Sequence, residues 1–326
     1  MALTYRMHTK ADEPELIRLW SEHSGWDQVS AEAWAHRMLH PPFGEAAIAV
    51  ATDGADGPIV GQFAFIPVRV AVDGREISAL RPFAPILSSH LRTPTWSANP
   101  LKHPVAEMYM QAAKAWRQRG AGFIYMIPDP RWRGLFRLFP MFTTGSMPLW
   151  SLPLPVAQPP TLAPGYSVAP LAAYDERVDR LWALSSRLHG CQIVRNAQTL
   201  PWKIGSGDYH VTAIERDGEL VGLAASRPKG DRQWLICDLL VADADETLRA
   251  TLIALIGLAQ QAALDPSPEK PVQKIALLVT PPFAPVVREL GFVRDSYDFP
   301  IVIHLLDPAI SKADVAPARW YVSPND

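Results

Sequence analysis

The residues most able to do chemistry gather around one stretch, Ile77 to Met141. His90 stands at the end of a strand, Tyr109 on the helix that follows, Tyr125 on the next strand and Asp129 just past it. His90 titrates near neutrality and could take a proton from a nucleophile, or it is a loop histidine on the surface. Asp129 is either a working carboxylate or the N-cap of a helix beginning at Arg131 and Trp132, and Tyr125 is a proton donor or simple packing. Before the helix lie Arg92, Lys102 and His103, with Ser97 or Asn99 as cap. Cationic side chains beside the free N–H groups of a helix start can hold an anion. The same pattern describes a solvated basic loop. Trp96 and Trp132 flank this region and could line a pocket for an aromatic or lipid-like group. Further on, Asp238 interrupts the apolar run ICDLLV. A carboxylate there needs a partner, so it either contacts a substrate amine or forms an ion pair with Arg195 or Lys203.

The elements that must position these groups are legible from periodicity. Val105, Met108, Ala112 and Trp116 recur at helical spacing and Gly120 stops the helix. GFIYMI follows as a buried strand, so strand, helix and strand form a parallel unit. Upstream, Asp73-Gly74 closes a hairpin between PIVGQFAFIPVRVAV and REISALRPFAPILSS. Pro82 and Pro85 interrupt the second of these strands, which predicts a bulge or an unpaired edge. Pro14 near its start and Ser30 as N-cap mark two helices before the hairpin.

The order then repeats. After a proline-dense linker, 153–165, come a strand YSVAPLA, a helix from Asp175 to Gly190, an irregular connector holding QTLPWKIG, a hairpin at Asp217-Gly218, the strand RQWLICDLLVA, a long helix, the strand KIALLVT and a closing strand. DGPIVGQFAFIP matches DGELVGLAASRP in place, about one domain length apart. Two domains are expected, 1–152 and 166–326. His189, at the end of its helix, reads as a favourable charge at a helix C-terminus.

Hydrophobic residues are 48% and charged residues 20% of the chain, and the net charge is −2, which gives no electrostatic footprint for nucleic acid or an anionic membrane. Cys191 and Cys237 lack metal-ligand spacing and read as reduced thiols; no metal is expected. The first residues lack a signal peptide pattern, and LRATLIALIGLAQQAAL reads as a buried helix, so a cytoplasmic protein without a membrane anchor is expected.

With its two hairpins, the unit Ile77–Ile127, the junctions Ile127-Pro128-Asp129-Pro130 and Val279-Thr280-Pro281-Pro282, Leu290-Gly291-Phe292, and a tail Arg319-Trp320-Tyr321 followed by Asp326, the chain resembles the GNAT superfamily of acyl-CoA N-acyltransferases in a tandem form. The resemblance implies an α/β fold (α+β, mixed sheet), two GNAT-like domains, each mostly antiparallel with one parallel strand-helix-strand unit. It implies that the fourth and fifth strands part so that the pantetheine of acetyl-CoA or another acyl-CoA lies between them, along Ile86, Leu87 and Ser88 and toward Arg92. The glycine-rich loop that such proteins place before the long helix is missing from both halves. In its place the second half has Asp243, Asp245 and Glu246, which would repel a pyrophosphate. The tyrosine usual on the short helix after the fifth strand is also missing, which leaves His90, Tyr125, Asp129 and Tyr109 as substitutes. The implied activity is acyl-CoA-dependent transfer, of the N-acetyltransferase type, to a small amine, an amino-sugar or a natural-product intermediate. The alternative is a catalytically inactive ligand-binding or partner-interaction protein of the same fold. An aminoacyl transferase acting with tRNA fits the near-neutral charge poorly.

Overall fold

The computed structural model describes residues 2–26, 28–92, 102–128, 141–205, 208–230, 232–265 and 271–326. The first half contributes β1 (Leu3–Met7), α1 (Glu13–His23), α2 (Ala31–Met38), β2 (Ala47–Asp53), β3 (Ile59–Val72), β4 (Arg75–Leu87), α3 (Pro104–Gln118), β5 (Phe123–Met126) and β6 (Phe142–Pro153). The second contributes β7 (Tyr166–Pro170), α4 (Glu176–Ser185), β8 (Cys191–Ile193), α5 (Thr199–Ile204), β9 (His210–Arg216), β10 (Glu219–Lys229), β11 (Gln233–Val241), α6 (Glu246–Leu264), β12 (Lys274–Leu278), α7 (Ala284–Glu289), β13 (Val293–Leu305) and β14 (Trp320–Tyr321).

Local signals act where the sequence puts them. Asp73 and Gly74 take φ of 48° and 78°, and Asp217 and Gly218 take 52° and 86°, the positive angles of a tight hairpin. Ser30 caps α2 by accepting from the Ala33 N–H at 3.1 Å. The bulge expected at the prolines is present: the β3–β4 register slips between Gln62 and Ala64, opposite Ala84 and Pro85, and Ala84 has φ 53°.

All the strands belong to one mixed sheet, and its central order is β4-β5-β13-β6-β12-β11. The two halves therefore trade closing strands. β13 of the second half pairs antiparallel with β5, Val302 opposite Met126, while β6 of the first half pairs with β12, Ser151 opposite Ala276. Hydrophobic periodicity sets which face each residue takes, but it carries no information about which neighbour a strand chooses. Along β5, Phe123 and Tyr125 pack into one core cluster and Ile124 and Met126 into another, as a period of two requires. α3 covers the Ile124 face together with Met108 and Ala112, and α1 and α2 cover the opposite face beside Phe83.

α6 is long and apolar enough on length and composition to cross a bilayer, yet its Leu248, Leu252, Leu255 and Ile256 are fully buried against the sheet. Two further elements lay where the sequence read only a connector. β8 pairs with the end of β3 and with β14, and α5 is a short helix rather than irregular chain.

The exchange has a direct consequence for dissection. A fragment ending at Pro153 keeps β6 without either neighbour and leaves one edge of β5 bare. It should show no cooperative urea transition by circular dichroism, while the whole chain unfolds in one step. Independent cooperative unfolding of that fragment would contradict the interlocked architecture.

Candidate functional site

Both halves part their parallel strands early. β4 and β5 are paired only at Ala79–Phe123 and Leu80–Ile124, and β11 and β12 only from Gln233–Lys274 to Leu235–Ala276. Beyond these points the facing edges have no strand partner. The next residues in the first half are Arg81 and Tyr125, and both line a narrow cleft open to solvent. Pro42 and Phe43 after α2, Val68 on β3 and Trp202 and Lys203 on α5 complete its walls, with Asn325 and Asp326 at one side. The indole N–H of Trp202 donates to the His36 carbonyl at 3.0 Å, which ties α5 to α2 across the two halves.

Beside the cleft lies a buried ring of four charges. Asp238 contacts Arg195 at 2.7 Å and Lys203 at 2.6 Å, and Asp326 pairs with the same two cations. Arg195 is 0% exposed; its guanidinium also donates to the Ile193 carbonyl at 2.8 Å and lies 4.6 Å over the Tyr321 ring. Two cations face two carboxylates, so the ring is neutral. Burial pushes the Asp326 carboxyl up, but the charges of Arg195 and Lys203 outweigh it and hold its pKa at about 2. The Ser323 N–H adds a hydrogen bond to the same carboxylate at 2.7 Å.

Tyr125 is 1% exposed. Burial first, then the negative charge of Asp326, lift its phenol above the ordinary range against the pull of Arg81 and Arg195. Its proton therefore stays on at neutral pH.

The other residues singled out from sequence are dispersed. His90 is exposed on a single turn of 3-10 helix, Ser89–Leu91. Ile86, Leu87 and Ser88 are buried at the end of β4, and the Ser88 N–H is bonded to the Val60 carbonyl. Arg92 turns back to donate to the Leu87 carbonyl at 3.0 Å, and Lys102 lies 3.7 Å from Glu107. His103 is the N-cap of α3, its Nδ1 accepting from the Val105 N–H at 3.3 Å; burial lowers its pKa. Trp96, Ser97, Asn99, Asp129 and Trp132 lie outside the described residues. Tyr109 is on the α3 face, away from the cleft, bonded to His304 Nδ1 at 3.0 Å. Asp238 has both partners named from the sequence, Arg195 and Lys203, at once. Arg81, Trp202 and Asp326 were not singled out for this site; nothing local marks them, because the fold gathers them from distant segments.

One chemical expectation changes and one, the reduced thiols, holds. His189 does not act as a charge at a helix end: α4 stops at Ser185, and His189 is folded inward, 2.8 Å from Thr280 Oγ1. Burial and the nearby Arg195 charge push it down to about 3, so it is neutral. Cys191 and Cys237 are free and buried, with thiols raised to about 12 and about 11 chiefly by burial.

The second gap is closed by the chain itself. Tyr321 packs among Leu239, Phe283 and His189, its ring centroid 5.2 Å from that of His189. At the start of α6, Asp243 accepts from the N–H groups of Asp245 at 2.9 Å and Thr247 at 3.2 Å. The helix end is thus served by an internal carboxylate.

No protein-family model and no curated protein sequence matches the chain. Solved structures do. A conserved protein of Enterococcus faecalis, described as a probable N-acyltransferase, superposes with a TM-score of 0.69 at 11% identity, over 94% of this chain and 73% of its own. A GCN5-related N-acetyltransferase from Anabaena variabilis gives 0.68 at 10% identity, with the same coverages of 94% and 73%. Eis1 from Mycobacterium abscessus gives 0.57 at 13% identity, over 94% of this chain and 74% of that one. The chain has the fold of the GCN5-related N-acetyltransferases, as a mixed α/β sheet in which the parallel unit occurs twice.

Proposed function

We propose that the chain is an acyl-CoA-dependent N-acyltransferase, of the acetyltransferase type, whose first half carries the acyl donor and whose acceptor is a small amine. One observation carries this reading: the cleft opens at the residues, Arg81 and Tyr125, where β4 and β5 separate. A ligand strand laid between β4 and β5 would find the β5-facing edge of β4 from Arg81 to Leu87 unpaired, with the bulge at Ala84 keeping it irregular. Acyl-CoA, when bound, supplies an acyl group activated as a thioester.

The remaining work falls to this chain's own residues. On this reading Tyr125, which lines the cleft and keeps its proton at neutral pH, gives it to the departing thiolate as the C–S bond breaks, and the proton shed by the attacking amine restores the phenol. Asp326 stays ionised within the charge ring and fixes Lys203 in the cleft wall. Asp238 lies behind it, so the carboxylate that faces an amine entering the cleft is Asp326. The walls of Phe43, Val68 and Trp202 exclude water on the acceptor side. The second half, its own gap filled by Tyr321 and Asp243, completes the acceptor pocket. A cytoplasmic setting and a small-molecule partner, rather than nucleic acid or membrane, accompany this reading, with the net charge of −2 in their support.

Calorimetric titration with acetyl-CoA, longer acyl-CoAs and free coenzyme A tests the donor. Binding is expected, and its absence for all of them would leave a ligand-binding protein of the same fold as the better reading. With any acceptor that supports thiol release, Tyr125→Phe should lower kcat by about 10²-fold while leaving the KM for acyl-CoA within about threefold. An unchanged kcat would remove Tyr125 from the chemistry.

A further inference from the structure

One corner of the cleft holds cations with no acid among them. Arg81 lines the cleft, and Arg37 on α2 packs on the same Phe83 ring, their guanidinium carbons 5.6 Å and 5.0 Å from its centroid. Two like charges on one ring oppose each other. Arg37 is exposed along its length, but crowding about its guanidinium, and after it the charge of Arg81, hold it below its ordinary pKa. Among the described residues neither arginine has a carboxylate partner. The acid that lines the cleft is already engaged, since Asp326 is paired with Arg195 and Lys203.

The neutral groups at this corner also present donors. Tyr209 donates its hydroxyl to Asn325 Oδ1 at 3.0 Å, which fixes how that amide is turned, and Asn325 Nδ2 is then left buried with no partner. Tyr209 is near enough to feel the charge of Arg37, and a third guanidinium, Arg227, lies 4.6 Å over its ring with a buried Nε that has no acceptor. Buried donors without an acceptor, here Asn325 Nδ2 and Arg227 Nε, are costly, and a bound oxyanion can accept from such a donor while the half-buried Arg81 and the exposed Arg37 supply its counter-charge. The planar guanidinium fork matches the oxygens of a carboxylate or phosphate.

We propose that the cleft selects its acceptor through an oxyanion carried on the same small molecule as the attacking amine, a carboxylate or phosphate seated between Arg37, Arg81 and Asn325. This rests on the acyl-transfer reading for the role of the amine, and not for the anion itself.

Matched pairs test it on the full chain. A panel of α-amino acids is compared with the corresponding amino alcohols, and phosphoethanolamine with ethanolamine, by tryptophan fluorescence and calorimetry; free coenzyme A is titrated separately. In at least one pair the anionic member should bind about tenfold or more tightly than its neutral partner, and which pair it is tells carboxylate from phosphate. Arg37→Gln and Arg81→Gln, checked for folding by thermal unfolding, should each bring the members of that pair to within about threefold, and Arg37→Gln, which lies outside the donor site, should do so with coenzyme A affinity unchanged. Equal binding within every pair overturns the proposal. So does a preference that survives both substitutions, or no binding of any anionic member up to about 10 mM. Should coenzyme A fail to bind while the anion preference and its dependence on both arginines hold, the acyl-transfer reading falls and the anion site stands. The reverse result removes the anion site alone.

Discussion

An Asp238→Ala chain is expected to lose about 3–5 kcal/mol of stability, measured as the shift in a urea transition extrapolated to water. The buried ring explains the size. Two cations, Arg195 at 0% and Lys203 at 7% side-chain exposure, would be left sharing one carboxylate where water has little access. The loss reflects stranded charge and not the intrinsic strength of the pair, because bringing all four groups out of water was itself costly. A second substitution separates these. Adding Lys203→Met to Asp238→Ala removes the surplus cation, so the double variant should be more stable than the sum of the two single effects implies, by about 1–3 kcal/mol. Strict additivity would mean that the four charges do not act as a unit.

Acid should weaken the fold well before carboxylates titrate. His189 is held at about 3 by burial and by Arg195, and His304 at about 4 by burial and by Arg117, against 6.5 for both when exposed. Between those limits the unfolded chain binds protons that the folded chain refuses, so stability falls as pH falls. Each imidazole should contribute a slope of about 1.4 kcal/mol per pH unit, or about 3 kcal/mol lost between pH 6.5 and pH 4. Asp326, with its pKa depressed to about 2, adds a contribution present above its unfolded value of 3.8 and lost only as pH drops below that. Urea midpoints at pH 7, 5.5 and 4 should therefore descend steadily, and His304→Gln should flatten the slope by roughly half whatever it does to stability at pH 7. A slope that His304→Gln leaves unaltered would show that the buried imidazole is already charged.

What the sequence disclosed and what it withheld follow from range. The Asp-Gly hairpins, the Ser30 cap and the bulge near Pro85 each depend on a few adjacent residues, and each is in place. The strand-helix-strand units are likewise local, since their contacts close over one helix. Asp238 was legible too, because an unpaired carboxylate in an apolar strand is improbable enough to demand a cation. The trade of β6 and β13 was not, because both strands satisfy the same alternation in either position. β8 and α5 are too short for periodicity to declare them. The cleft drew Arg81, Trp202 and Asp326 from three remote segments, so its composition appears only once the halves are joined. His189 misled for the same reason: its helix stops early, and the ring it packs against belongs to the last residues of the chain.

The trade of strands also sets an order of events on the ribosome. β5 ends at Met126, and its neighbour β13 is complete only at Leu305. At synthesis rates of about 5–20 residues per second, roughly 10–35 s pass in which one edge of β5 has nothing to pair with, and β6 waits for β12, which is complete only at Leu278. A nascent chain in that interval offers an open hydrogen-bonding edge flanked by Phe123, Ile124 and Tyr125. It is then most exposed to mispairing with a neighbour on the same message, and holding that edge is the task this architecture sets for any chaperone that meets it.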